Sequence, residues 1–180
     1  MKETAVLAID LQNAIMEGPI HNREVFTDNV KGILETARKR NYSVFMVQHA
    51  EKKGSDLEPG TEGWKIYSQF LSKDSEPVIH KEYPDSFYKT DLDMILKSEG
   101  IKSLVLCGLM TEYCVDTTVR SAFAHGYKIL LAGDGHSTFN RENIGAEQMI
   151  SLVNSITSEW FGEVKDSKNI MKLLDDKKFD

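Results

Sequence analysis

Six short apolar runs, each unbroken, constrain this 180-residue chain more than any other feature. They cover Ala5 to Ile9, Ser43 to Gln48, Val78 to His80, Ser103 to Cys107 and Lys128 to Ala132, with a weaker run near Phe161 to Lys165. None alternates apolar and polar residues, so each reads as a strand covered on both faces. Amphipathic stretches lie between them. Asn29 to Arg40 places Val30, Ile33, Leu34 and Ala37 on one face, and Leu92 to Glu99 gathers Leu92, Ile95 and Leu96. Val115 to His125 gathers Val115, Val119, Ala122 and Phe123 before a glycine stop at Gly126, and Asn143 to Thr157 shows a less regular face. Strands alternating with helices imply an α/β fold, a mostly parallel sheet wound with helices on both sides.

The length suits one domain, 1–180, with a polar C-terminal tail over 166–180. Residues 50–76 break the alternation. Gly54, Pro59, Gly60 and Gly63 interrupt any long helix, although Trp64 to Leu71 suits a short one. An irregular excursion of this length after a strand is expected to act as a lid or pocket wall, or to cross a subunit boundary. The net charge of −6, with both signs interspersed, gives no electrostatic reason to expect nucleic acid or an anionic membrane. No apolar run approaches the roughly 18 residues of a membrane span. Cys107 and Cys114 are too far apart for a C-x-x-C pair, and free thiols without a signal-peptide pattern suggest the cytoplasm.

Three reactive residues stand just past strands. Asp10 follows the first run, Lys81 follows the third, and Cys114 lies in what reads as a first helical turn after Leu104-Val105-Leu106-Cys107-Gly108. In a parallel sheet the carboxyl ends of the strands share one edge, where sites form. A Thr111 hydroxyl capping the N–H of Cys114 puts the thiol at the positive end of a helix, which favours thiolate. Taken singly, each residue has a plainer reading. Asp10 suits a turn, Lys81 a snorkelling cation, and Cys114 a small buried hydrophobe.

The segment Cys107-Gly108-Leu109-Met110-Thr111-Glu112-Tyr113-Cys114-Val115-Asp116-Thr117-Thr118 closely resembles the nucleophile signature of the isochorismatase-like cysteine hydrolases. The resemblance extends to Ala8-Ile9-Asp10-Leu11-Gln12-Asn13, to Gly60-Thr61-Glu62-Gly63-Trp64, and to Lys81 with Pro84-Asp85-Ser86-Phe87. It implies a Rossmann-like three-layer α/β/α sandwich with a six-stranded, mostly parallel sheet. It also implies an Asp10–Lys81–Cys114 triad, a cis peptide between Leu109 and Met110, and an oxyanion hole from the backbone N–H groups of Met110 and Cys114. Homo-oligomers are expected from the same resemblance.

Nicotinamidases of this superfamily add an Asp-x-His metal site after the second strand. This chain has Gln48-His49 there, without the imidazole pair, so no metal and no cofactor is expected. Retention of the cysteine favours covalent hydrolysis of a small amide, carbamoyl or ureido C–N bond over vinyl ether cleavage. An isochorismatase-type vinyl ether hydrolase, a nicotinamidase and a catalytically idle binding relative stay as alternatives. Gln12, His49, Trp64, Phe87, Tyr113 and His136 are the expected pocket residues. An activated Cys114 should be alkylated by dilute iodoacetamide faster than Cys107, as peptide mass mapping would show; equal rates would remove the activated nucleophile.

Overall fold

The computed structural model describes residues 3–73 and 75–176. Its six strands are β1 (Thr4–Ile9), β2 (Ser43–His49), β3 (Val78–Lys81), β4 (Ser103–Leu109), β5 (Lys128–Ser137) and β6 (Glu163–Lys165). All pair in parallel, in the order β3-β2-β1-β4-β5-β6. The order reverses direction between β1 and β4, and that crevice, outside the carboxyl ends of the strands, is where doubly wound sheets bind ligands.

Six α-helices cover the sheet: α1 (Asn13–Met16), α2 (Arg23–Lys39), α3 (Leu92–Ser98), α4 (Asp116–Ala124), α5 (Ala146–Ile156) and α6 (Ser167–Asp176). Strand residues divide strictly by parity. Val6, Ala8, Val44, Met46, Val105 and Leu130 pack under Val30, Ile33 and Leu34 of α2 and Ile170 and Leu174 of α6. Ala5, Leu7, Ile9, Phe45, Leu104 and Leu106 pack under α3, α4 and α5 through Leu92, Leu96, Val119 and Val153. No helix of the described residues is long and apolar enough to cross a membrane.

Four expectations change. Helix α2 starts at Arg23 rather than Asn29, because Phe26 is already buried and Asn29 uses its amide to reach the Asp134 carbonyl, 3.0 Å away. Strand β5 runs five residues past Ala132. Its polar Gly133–Ser137 stretch stays in the sheet through a bulge, pairing His136 with Gly108 and Ser137 with Leu109. The short helix expected over Trp64 to Leu71 shrinks to one 3₁₀ turn, Ser68–Phe70. The stretch expected to be a polar tail is α6 as far as Asp176, and residues 177–180 lie outside the described residues. Of its four apolar residues, Ile170 and Leu174, at i and i+4, are fully buried against α2, and Met171 and Leu173 pack against the same core.

Gly108 is the tightest point of the sheet. Its φ is +130°, and a Cβ there would lie 2.1 Å from the Ile9 carbonyl oxygen. Only glycine lets the end of β4 close on the end of β1. Leu174→Ala should lower the unfolding free energy by about 2–5 kcal/mol in urea titrations; a loss below about 0.5 kcal/mol would return α6 to the status of a peripheral tail.

Candidate active site

Asp10 ends β1 with a left-handed backbone, φ +50°, a conformation that aspartate tolerates better than most residues. The turn aims its carboxylate across the crevice toward β3. Lys81, the last residue of β3, meets it there: Nζ donates to Asp10 Oδ2 at 2.7 Å, with side-chain exposures of 0% and 1%. The same ammonium lies 3.2 Å from Cys114 Sγ and 3.4 Å from His49 Nδ1. Three acceptors thus surround one buried amine. Asp10 Oδ1 is also buried and has no hydrogen-bond partner among the described residues.

Cys114 sits in a π-turn, Thr111–Val115, that joins β4 to α4, with Val115 N–H bonded to the Met110 carbonyl at 3.2 Å. The wider turn inserts a residue into the helix start, a local feature frequent at functional sites. The Leu109–Met110 peptide leading into it is cis. The thiol is not held as a thiolate by a helix terminus. Burial foremost, then the Asp10 charge, push it up to about 12, and the charge and hydrogen bond of Lys81 only partly oppose this. The resting group is a thiol whose sulfur lies 3.2 Å from the Lys81 ammonium. The expected Thr111 cap is likewise absent, because the Thr111 hydroxyl faces inward and contacts His136 Nδ1 at 2.9 Å.

His136 belongs to that interior contact, not to the pocket. Asn154 donates its amide to the Gly133 carbonyl, which turns Oδ1 toward His136 Nε2 at 2.9 Å. Nε2 therefore carries the proton, and Nδ1 accepts from Thr111. Burial lowers the His136 pKa and keeps the ring neutral. Gln12 also differs from its expected role. Its Nε2 donates to the carbonyls of His49 and Trp64, both at 2.9 Å, and its Oε1 accepts the His49 N–H at 2.8 Å. It clips the end of β2 to the 50–73 loop. Phe87 is core, stacked on His125 and Tyr127 at centroid distances of 4.8 and 5.8 Å. Tyr113 is 47% exposed and lies beneath the Arg141 guanidinium.

Trp64 lines a cavity of about 600 Å³ that also touches Lys81. His80, Glu82, Tyr83, Tyr88 and Lys89 share that wall, and sequence reasoning missed all five. Their signal is positional, since each follows within eight residues of the candidate lysine or adjoins it. His49 lies beside the triad. Its Nδ1 accepts from Lys81, so Nε2 carries the proton and points toward Glu51, 3.9 Å away. Burial, then the Lys81 charge, lower its pKa.

With the ammonium at its Nδ1 and one carboxylate near its Nε2, His49 does not fit a nicotinamidase-type metal centre. Among the described residues no three His, Cys, Asp or Glu side chains gather to hold an ion.

A family model for the isochorismatase domain matches residues 4–159. The chain belongs to the isochorismatase family. It is 38% identical over 140 residues to the uncharacterised isochorismatase family protein YddQ of Bacillus subtilis, covering 75% of this chain and 78% of that one. Over 157 residues it is 29% identical to nicotinamidase 3 of Arabidopsis thaliana, covering 78% and 76%. The solved isochorismatase-like hydrolase of Alkaliphilus metalliredigens superposes with a TM-score of 0.82 at 27% identity, covering 94% of this chain and 98% of that one. The α/β sandwich of this isochorismatase-family chain is thus the family fold.

The balance at Cys114 has a measurable sign. Asp10→Asn removes the charge that raises the thiol pKa, so the thiolate fraction at pH 8 should grow about tenfold for each unit of fall. Iodoacetamide labelling of Cys114 should therefore accelerate in Asp10→Asn and slow in Lys81→Met; unchanged rates would mean that neither neighbour acts on the thiol.

Proposed function

We propose that this protein is a cysteine hydrolase that cleaves the C–N bond of a small amide, carbamoyl or ureido compound. One observation carries the reading: a buried Asp10–Lys81 ion pair with the Cys114 sulfur 3.2 Å from the same ammonium. Burying two charges costs several kcal/mol per ion before their attraction offsets it. A thiol placed against such a pair gains a proton acceptor and a counter-charge together.

The unpartnered Asp10 Oδ1 receives the thiol proton as sulfur attacks the carbonyl carbon. Lys81 stabilises the charge growing on sulfur. The backbone N–H groups of Met110 and Cys114 receive the oxyanion, a type of contact worth roughly 100- to 1,000-fold in rate elsewhere. The tetrahedral species collapses, the C–N bond breaks, and protonated Asp10 delivers its proton to the departing nitrogen. Water then attacks the thioester with Asp10 again as base, releasing the acid and restoring the thiol. A thiol that is neutral at rest suits this order, because deprotonation and attack are one event. Relatedness to a nicotinamidase supports the amide chemistry. The poor fit of His49 to a metal centre separates this site from the metal-bearing branch.

A panel of small amides, carbamoyl amines and ureido compounds, scored by ammonia release, tests the reading. Turnover of at least one compound should fall about 1,000-fold or more in Cys114→Ala while circular dichroism stays unchanged. Full activity in that variant would sink the covalent route.

A further inference from the structure

The cavity beside Lys81 is lined by a residue whose buried hydrogen-bond donor has no acceptor among the described residues. Trp64 Nε1 is buried without a partner among the described residues, although its ring lines the cavity and packs 5.2 Å from His80. A buried indole N–H left unpaired is unfavourable, so this donor is available to any acceptor that reaches it. Lys89 lines the same space. Its ammonium lies 5.1 Å from the Tyr83 ring centroid and 5.3 Å from that of Tyr88, and donates to the Tyr83 hydroxyl at 3.4 Å.

Those rings are themselves packed edge to face, 4.9 Å apart, and form a cradle for the cation. Aromatic faces hold an ammonium without neutralising it, and among the described residues no carboxylate pairs with Lys89. The lysine backbone is left-handed, φ +56°, an unusual and costly conformation for a residue with a long side chain. Lys89 is thus an exposed residue in a strained backbone position at the cavity wall, its ammonium resting on two aromatic rings rather than on a carboxylate. Glu82, exposed like Tyr83, Tyr88 and Lys89, is the opposing charge on the same wall.

We propose that this cavity selects a substrate bearing a carboxylate, with Lys89 as its counter-charge and the Trp64 indole N–H as a second donor. Lys89 is then a specificity-determining residue. The proposal rests on the hydrolase reading for the placement of the scissile bond at Cys114, and adds the group carried at the far end of the molecule. A carboxylate offers about four acceptor sites, enough for both donors together.

The two tryptophans of the chain allow a direct measurement. In a Cys114→Ala/Trp160→Phe protein no covalent turnover is expected and Trp64 is the sole indole. Its fluorescence is titrated with ureidobutyrate, with the neutral primary amide of ureidobutyrate, and with a ureidopropylamine cation of similar length. The carboxylate should bind about tenfold or more tightly than the neutral amide, the scale of one hydrogen bond to a charged group. Adding Lys89→Met should erase that preference while leaving the amide affinity within about twofold, and Lys89→Arg should retain it.

Equal or tighter binding of the neutral compound, absence of binding by the carboxylate, or a preference that survives Lys89→Met would each overturn the proposal. Tightest binding by the cation would do so as well, and would transfer the selecting charge to Glu82. Hydrolysis is scored separately. A carboxylate preference in this protein, alongside a wild-type enzyme inert on the whole amide and ureido panel, would keep the pocket and discard the C–N chemistry.

Discussion

Every feature of the site depends on one buried cation. The Lys81 ammonium is fully enclosed, and three acceptors, from Asp10, Cys114 and His49, converge on it from three separate strand ends. An ammonium with no solvent is tolerable only where its protons are all met and an opposite charge is close. The parallel sheet order supplies this by placing the ends of β3, β2, β1 and β4 side by side. Removing one member of the pair leaves the other charged and unpaired in the interior, a loss on the order of 3–5 kcal/mol in comparable cases. Stability and reactivity therefore share the same atoms.

The thiol illustrates how opposing influences set a protonation state. A cysteine at a helix start is usually read as activated by the dipole. Here the first turn is a π-turn, Thr111 is engaged with His136, and the sulfur is deep enough for burial to dominate. The Asp10 charge adds to burial, and Lys81 subtracts from both. The outcome is a thiol kept protonated at rest beside a carboxylate and an ammonium. Such an arrangement limits adventitious oxidation, since the thiolate is the reactive form.

Much of the architecture was legible in the chain. Continuous apolar runs announced buried parallel strands, and the placement of Asp10, Lys81 and Cys114 just beyond such runs announced one shared edge. What escaped notice did so for physical reasons. Gly133 to Ser137 reads as a turn by composition, yet register with β4 keeps it in the sheet. The apolar residues of α6, Ile170, Met171, Leu173 and Leu174, are interspersed with polar and charged ones, and their burial depends on α2, which local sequence does not display. Gln12, Phe87 and His136 have side chains suited to a pocket, and only their partners reveal a clip, a core stack and an internal strut. The cavity residues Tyr83, Tyr88 and Lys89 were missed because a single exposed residue carries no periodic signature.

The Gln12 amide has a consequence for how this scaffold diversifies. Two residues from Asp10, it holds the backbone at His49 and at Trp64, joining both ends of the irregular stretch to the end of β1. The loop is moored at His49 and again over Glu62 to Tyr67, through Leu11, Asn13, Ala14 and Gln48, and the stretch between these points is the part with room to vary. Changes in its length or composition can remodel the space around the crevice while Asp10, Lys81 and Cys114 stay in register, so the pocket can change without rebuilding the cluster beneath it.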